Sequence, residues 1–163
     1  MADRYVLELL GEQALLTRLS AAIQGLEHPR QLFVDIGGAL EQNINIRFDT
    51  KRDPTGQAWQ QISELTPIIW ERINKKPLPG TLLERTRRMR QGLGSNASDQ
   101  GAEVGFDQKH AIYHETGTQR NDKPYMPRRG LMFADPVAGT LSVDDQAEVI
   151  ELIEDYVRGL LAG

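Results

Sequence analysis

The chain has 163 residues, 39% of them hydrophobic and 26% charged, with a formal net charge of −4 and no cysteine. That length suits one domain around a single core, and the missing thiols exclude disulfides and thiolate metal sites. No apolar run approaches the ~20 residues of a membrane span, and Met1-Ala2-Asp3-Arg4 lacks the apolar segment of a signal peptide.

Charge is unevenly spread along the chain. Lys and Arg against Asp and Glu give −3 over residues 1–42, +4 over 43–100, +1 over 101–133 and −6 over 134–163. A basic middle between acidic ends can fold back on itself, or it can meet the opposite region of a neighbouring subunit.

Helical spacing opens the chain. Val6, Leu9, Leu10, Leu16, Leu19, Ile23 and Leu26 recur at three- and four-residue steps, which predicts an amphipathic helix. Gly25 and Pro29 break it, with Pro29 at the start of a second helix whose apolar face is Leu32, Phe33, Ile36, Ala39, Leu40 and Ile44. Gly37-Gly38 inside that helix reads either as a tolerated weak point, at ~1 kcal/mol per Gly, or as a close approach by a neighbouring helix.

Next comes RFDTKRDPTGQAWQ, residues 47–60. Asp53-Pro54-Thr55-Gly56 has the residues of a type I turn in their preferred places. Trp59 follows as an anchor for the linker on the core, and Asp49 and Arg52 are candidate ion-pair partners. Thr66-Pro67 then starts a short helix with Ile68, Ile69, Trp70 and Ile73 as its apolar set, ended by Pro77, Pro79 and Gly80.

Residues 86–93 and 101–106 read as the strands of a β-hairpin, the second through the alternation of AEVGF. Arg85, Arg87, Arg88 and Arg90 in the approach to it suit a charged strand edge or a subunit contact; a nucleic-acid site would want interleaved aromatic residues, which are missing. KHAIYHETG sets His110 and His114 one helical turn apart, as metal-binding imidazoles often are. The positions for a general base hold Ala111 and Tyr113 instead of Glu, Glu115 follows the second His, and the only other histidine is His28. Residues 117–129 read as an exposed loop and 130–133 as a third strand. Ser142-Val143-Asp144-Asp145 resembles a capping box. It starts a last helix with Val149, Ile150, Ile153, Tyr156, Val157, Leu160 and Leu161 on its apolar face, and Asp144, Asp145, Glu148, Glu151, Glu154 and Asp155 on the other.

Taken in order, RFDTKRDPTGQAWQQISELT, LLERTRRMRQGL, AEVGF, AIYHETGT and YMPRRGLMF resemble the blocks of the phage virion morphogenesis or tail completion proteins of Mu-like phages, over about residues 40–135. The first block carries Arg47, Phe48, Asp49, Asp53, Pro54, Gly56 and Trp59 of the family's signature, and Gly117 closes the fourth. Three positions depart from the pattern. Arg87 stands where the family usually has Gly after Thr, His114 follows Tyr113 and not Ile, and Gly130 replaces a second Pro.

The resemblance implies an α+β fold, with a helical hairpin and a C-terminal helix packed on a small antiparallel sheet. Its parts would be the hairpin at 1–48, a linker and short helix at 49–80, the sheet at 81–135 with the exposed loop 117–129, and the helix at 142–161. It implies a structural protein of the virion neck or tail top, assembled in the host cytoplasm and acting in tail completion and head-tail joining. Such a protein would form a sixfold ring that meets the head connector and the tail tube or tail terminator, near packaged DNA, with no membrane and no sequence-specific nucleic-acid contact. No catalytic residue, metal or cofactor is expected. Candidate surfaces for neighbours are Arg85, Arg87, Arg88 and Arg90, and Arg120, Tyr125, Met126, Pro127 and Arg128. Two other classes stay open: a metal-dependent hydrolase using His110 and His114, and a nucleic-acid-binding protein using the arginines at 85–90.

Overall fold

A computed structural model describes residues 29–162. The first predicted helix lies outside the described residues. The second, α1 (Arg30–Thr50), buries Leu32, Ile36, Leu40, Ile44 and Phe48. These recur every fourth residue, so they form one stripe along the helix. α1 stops at Lys51, which sits in the left-handed region at φ 56° and donates its N–H to the Arg47 carbonyl at 2.9 Å, a common way to satisfy a last-turn carbonyl.

α1 is the central element. On one side it carries the hairpin of β1 (Leu93–Ser98) and β2 (Gly101–Phe106), paired antiparallel from Leu93 opposite Phe106 to Ser98 opposite Gly101. Strand alternation puts Leu93, Ser95, Ala97, Ala102, Val104 and Phe106 on one face, and Val104 and Phe106 are buried in the core shared with α1. Gly37 is where the two meet most closely. A Cβ added there would lie 3.2 Å from that of Ser95 and 3.7 Å from that of Ala102. The close approach is therefore real at Gly37, with strands and not a helix as the neighbour, while Gly38 is exposed.

On its other side α1 packs along the last helix, α5 (Val143–Ala162), which adds Val149, Leu152, Ile153 and Tyr156 to the same core. The expected cap is present: Ser142 Oγ accepts the Asp145 N–H at 3.1 Å. The α+β expectation of helices on a small antiparallel sheet is met. Ile150 departs from its expected face and is 38% exposed, and Asp145 departs from the acidic outer face and is buried.

Three local expectations change. The strand predicted from residue 86 starts at Leu93 instead, because Arg88–Gln91 form one helical turn, α3, closed by N–H bonds from Gln91 to Arg87 and from Gly92 to Arg88. That turn tucks Met89 into the core and leaves Arg87 and Arg88 outside. The predicted loop 117–129 contains a small second hairpin, β3 (Thr118–Arg120) with β4 (Lys123–Met126). Residues 130–133 are not a strand, for a reason that lies in the functional site. Between these parts run α2 (Leu65–Asn74) and α4 (Ala111–Thr116).

Candidate functional site

The segment Arg128–Phe133 is where the first and fourth sequence blocks meet the fifth. Trp59, buried and edge-on to Phe48 at 6.1 Å, donates its indole N–H to the Gly130 carbonyl at 3.0 Å. Arg47 Nη1 donates to the Leu131 carbonyl at 2.9 Å, and its Nη2 reaches both oxygens of Asp145 at 2.5 Å. Asp145 is 1% exposed, so this ion pair joins the end of α1 to the start of α5 inside the core. A capping residue thus has a second role that its place in the sequence does not show.

Glu115, at the end of α4 and buried, accounts for the missing strand. Its Oε2 accepts the N–H groups of Leu131 at 2.7 Å and Met132 at 3.1 Å, and its Oε1 accepts that of Phe133 at 3.0 Å. One carboxylate therefore engages three successive backbone donors that strand pairing would need. Arg128 closes the clasp from outside. It donates to the Glu115 carbonyl at 2.9 Å and to the Phe133 carbonyl at 2.5 Å, and it lies 3.6 Å from the Glu115 carboxylate. Gly130 sits under that guanidinium, where an added Cβ would lie 2.5 Å from Nη2. Gly117 turns the chain at φ 73°, with the backbone of Met126 and Arg128 only 3.1 Å from any added Cβ.

The turn block feeds the same hub. The Gly56 N–H donates to the Asp53 carbonyl at 2.9 Å, closing the predicted turn. Asp53 Oδ1 accepts from the Thr55 and Gln57 N–H groups, and its Oδ2 lies 3.7 Å from Arg128. Pro54 is buried. Arg129 is also buried, donates to the Gln60 carbonyl at 2.8 Å, and so holds the far side of the linker.

Asp49 faces elsewhere. Its predicted partner Arg52 donates to the Gly56 carbonyl, and Asp49 pairs with Arg90 at 2.6 Å. Arg90 also bonds Asn45 and Glu84 and lies 5.7 Å over the Phe48 ring, while Lys51 reaches Glu84 at 2.5 Å. The hydrogen bond from Arg90 holds the Asp49 carboxyl below its usual range. Burial pushes Glu84 up, but the bonds from Lys51 and Arg90 outweigh it and leave its pKa lowered.

Of the candidate surface residues, Arg90 and Arg128 are thus engaged inside the subunit. Arg87 and Arg88 are exposed, Arg85 lies 5.3 Å over the Trp70 ring, and Arg120 lies 5.9 Å over Tyr125, which is 69% exposed. Met126 and Pro127 line a cleft of about 950 Å³ together with Leu82, Leu83, His110 and His114. Arg87 has φ 57°. It keeps the left-handed conformation that a glycine takes most easily, at the position where the family pattern has Gly.

The histidine rings stand 6.2 Å apart in that cleft. Among the described residues no set of three His, Asp or Glu side chains is placed to hold a metal. Burial, with Arg129, His110 and Arg85 nearby, lowers the pKa of His114 to about 4, and its Nδ1 has no hydrogen-bond partner. His114 is therefore neutral at pH 7. Glu115, Asp145 and Arg129 are the residues that sequence reasoning missed. The partners of their side chains lie 13 to 102 positions away, and no local signal marks that role.

The family model described as the phage virion morphogenesis family matches residues 10–158 of the chain. No curated protein and no solved structure gives a significant match.

Proposed function

Because the chain belongs to the phage virion morphogenesis family, we propose that it is a structural protein of the virion neck or tail top that completes the tail and joins it to the head as one subunit of a sixfold ring. The observation that carries this reading is the fate of the shared blocks. Arg47, Trp59, Glu115 and Arg128 converge on an interior hub of hydrogen bonds, and none of these four lines the open cleft. Side chains used in this way fix a shape. They hold backbone in place and leave no charged group of the hub free to attack or bind a small molecule.

A fixed shape serves assembly, because ring contacts need rigid, complementary surfaces. The head connector and the tail tube or tail terminator would be its neighbours on the particle axis. No described helix is long and apolar enough to cross a membrane. The arginines at 85–90 are a weaker basis for nucleic-acid binding than their sequence suggested, since Arg90 is held by Asp49 and Glu84 and Arg85 lies on Trp70.

Depletion of the protein during phage growth tests the proposal. Separate heads and tails in electron micrographs, joined when purified protein is added back, are expected. Normal joined virions after depletion would overturn it. Mass measurements across concentrations, alone and with neck proteins, should give the sixfold species.

A further inference from the structure

The helix α2 is mounted with its apolar side outward. Helical spacing groups Leu65, Ile68, Ile69 and Ile73 on one side, and they stand 53% to 71% exposed. The half-buried inner side is formed by Thr66, Pro67 and Trp70, with Arg85 stacked on the indole. A helix serving only its own core has the opposite arrangement, and a contiguous exposed aliphatic patch of this kind marks an interaction surface. The end of α2 adds Arg72, Lys75 and Lys76, all exposed and none paired with an acidic group among the described residues.

The outward side of α5 has the converse character. Val143, 80% exposed, and Ile150 lie seven residues apart on one stripe, two turns along the helix. Asp144, Glu151 and Glu154 flank them, exposed and without a basic partner among the described residues.

We infer that α2 of one subunit docks on the outward side of α5 of a second copy, its aliphatic side chains against Val143 and Ile150 and its basic end against Glu151 and Glu154. The inference rests on the assembly reading above and names the contact. Electrostatics selects this pairing. Two α2 faces brought together would oppose Arg72, Lys75 and Lys76 to their own kind, and two α5 faces would oppose carboxylates. Only the unlike pairing is complementary, and unlike faces make a head-to-tail contact, the type that closes into rings.

Charge reversal tests it. One chain carries Arg72→Glu, Lys75→Glu and Lys76→Glu; the other carries Glu151→Lys and Glu154→Lys. In sedimentation velocity each reversed chain alone should dissociate, with the dissociation constant raised at least about tenfold. An equimolar mixture should regain the native mass, because each reversed face then meets its reversed complement on another chain. All five positions are exposed, so unchanged melting is expected. If a reversed chain melts early, the neutral pair Ile69→Ser with Ile73→Ser supplies the dissociation test. Reversed chains that assemble like the wild type would overturn this contact and leave the ring standing. Dissociation without rescue in the mixture would assign α2 to another occupant, such as a different segment of its own chain or another protein, and would also overturn it. A wild type that stays monomeric at every concentration, alone and with neck proteins, would remove both readings.

Discussion

The clasp around residues 128–133 and the helix α2 use similar side chains to opposite ends. In the clasp, charged groups face inward and every one has a partner: Arg47 with Asp145, Glu115 with three N–H groups, Arg129 with the linker carbonyl. In α2, large aliphatic groups face outward and none is buried. Both reverse the usual rule of charge outside and oil inside. The clasp reverses it to specify one backbone path through the middle of the subunit. α2 reverses it for something beyond the subunit. The two regions should therefore answer mutation in different measurements, the first in stability and the second in assembly.

Asp145→Ala offers the sharpest test of that division. It leaves Arg47, whose side chain is only 11% exposed, without its counter-charge, and loss of about 3–5 kcal/mol is expected in urea unfolding. A loss below 1 kcal/mol would show that the pair is not what ties α1 to α5. Glu115→Gln comes next. The amide keeps one acceptor but turns an N–H donor toward a backbone N–H, so about 2–3 kcal/mol should be lost, and amide exchange at Leu131, Met132 and Phe133 should speed up together.

Acid should act on the clasp side through His114. Its folded pKa, about 4, lies below the unfolded value of about 6.5, so the unfolded chain takes up the proton first. Stability is then full above pH 6.5, declines as pH falls toward 4, and loses nothing further to this group below that. Allowing for partial exposure, about 1–2 kcal/mol is at stake. His114→Phe should flatten the decline, and an unchanged acid limb would assign it to other groups. The smallest stability effect belongs to α2: Ile69→Ser should stay within about 0.5 kcal/mol of wild type, as exposed substitutions do. A larger loss would mean that this face is covered within the subunit.

The parts that were legible from sequence are those determined over a few residues. The Asp53 to Gly56 turn, the Ser142 cap and the β2 alternation follow from local donors, φ preferences and pleat. Trp59 was legible too, since a lone indole beside a polar turn has few places to go but the core. The third strand at 130–133 failed because its donors are taken by a carboxylate from another element, and no window around Leu131 contains Glu115. Asp49 failed likewise: two arginines, Arg52 and Arg90, could reach it, and the fold chose the distant one. Periodicity located the apolar set of α2 but says nothing about which way it faces. In the candidate site, Arg47, Asp53 and Trp59 come from one local block, while Glu115, Asp145 and Arg129 reach it from other elements.

The Glu115 clasp also bears on how a chain avoids the wrong polymer. A free Gly130–Phe133 segment, apolar and extended, would offer its N–H groups to any open sheet edge, and the short β1–β2 and β3–β4 pairs have edges to offer in return. Such edge-to-edge addition has no natural limit and ends in aggregates. With three consecutive donors capped by one carboxylate, that route is shut before subunits meet. The carboxylate is then a safeguard on solubility as well as a brace: chains that lose it should accumulate as insoluble material during expression even where the folded fraction still assembles.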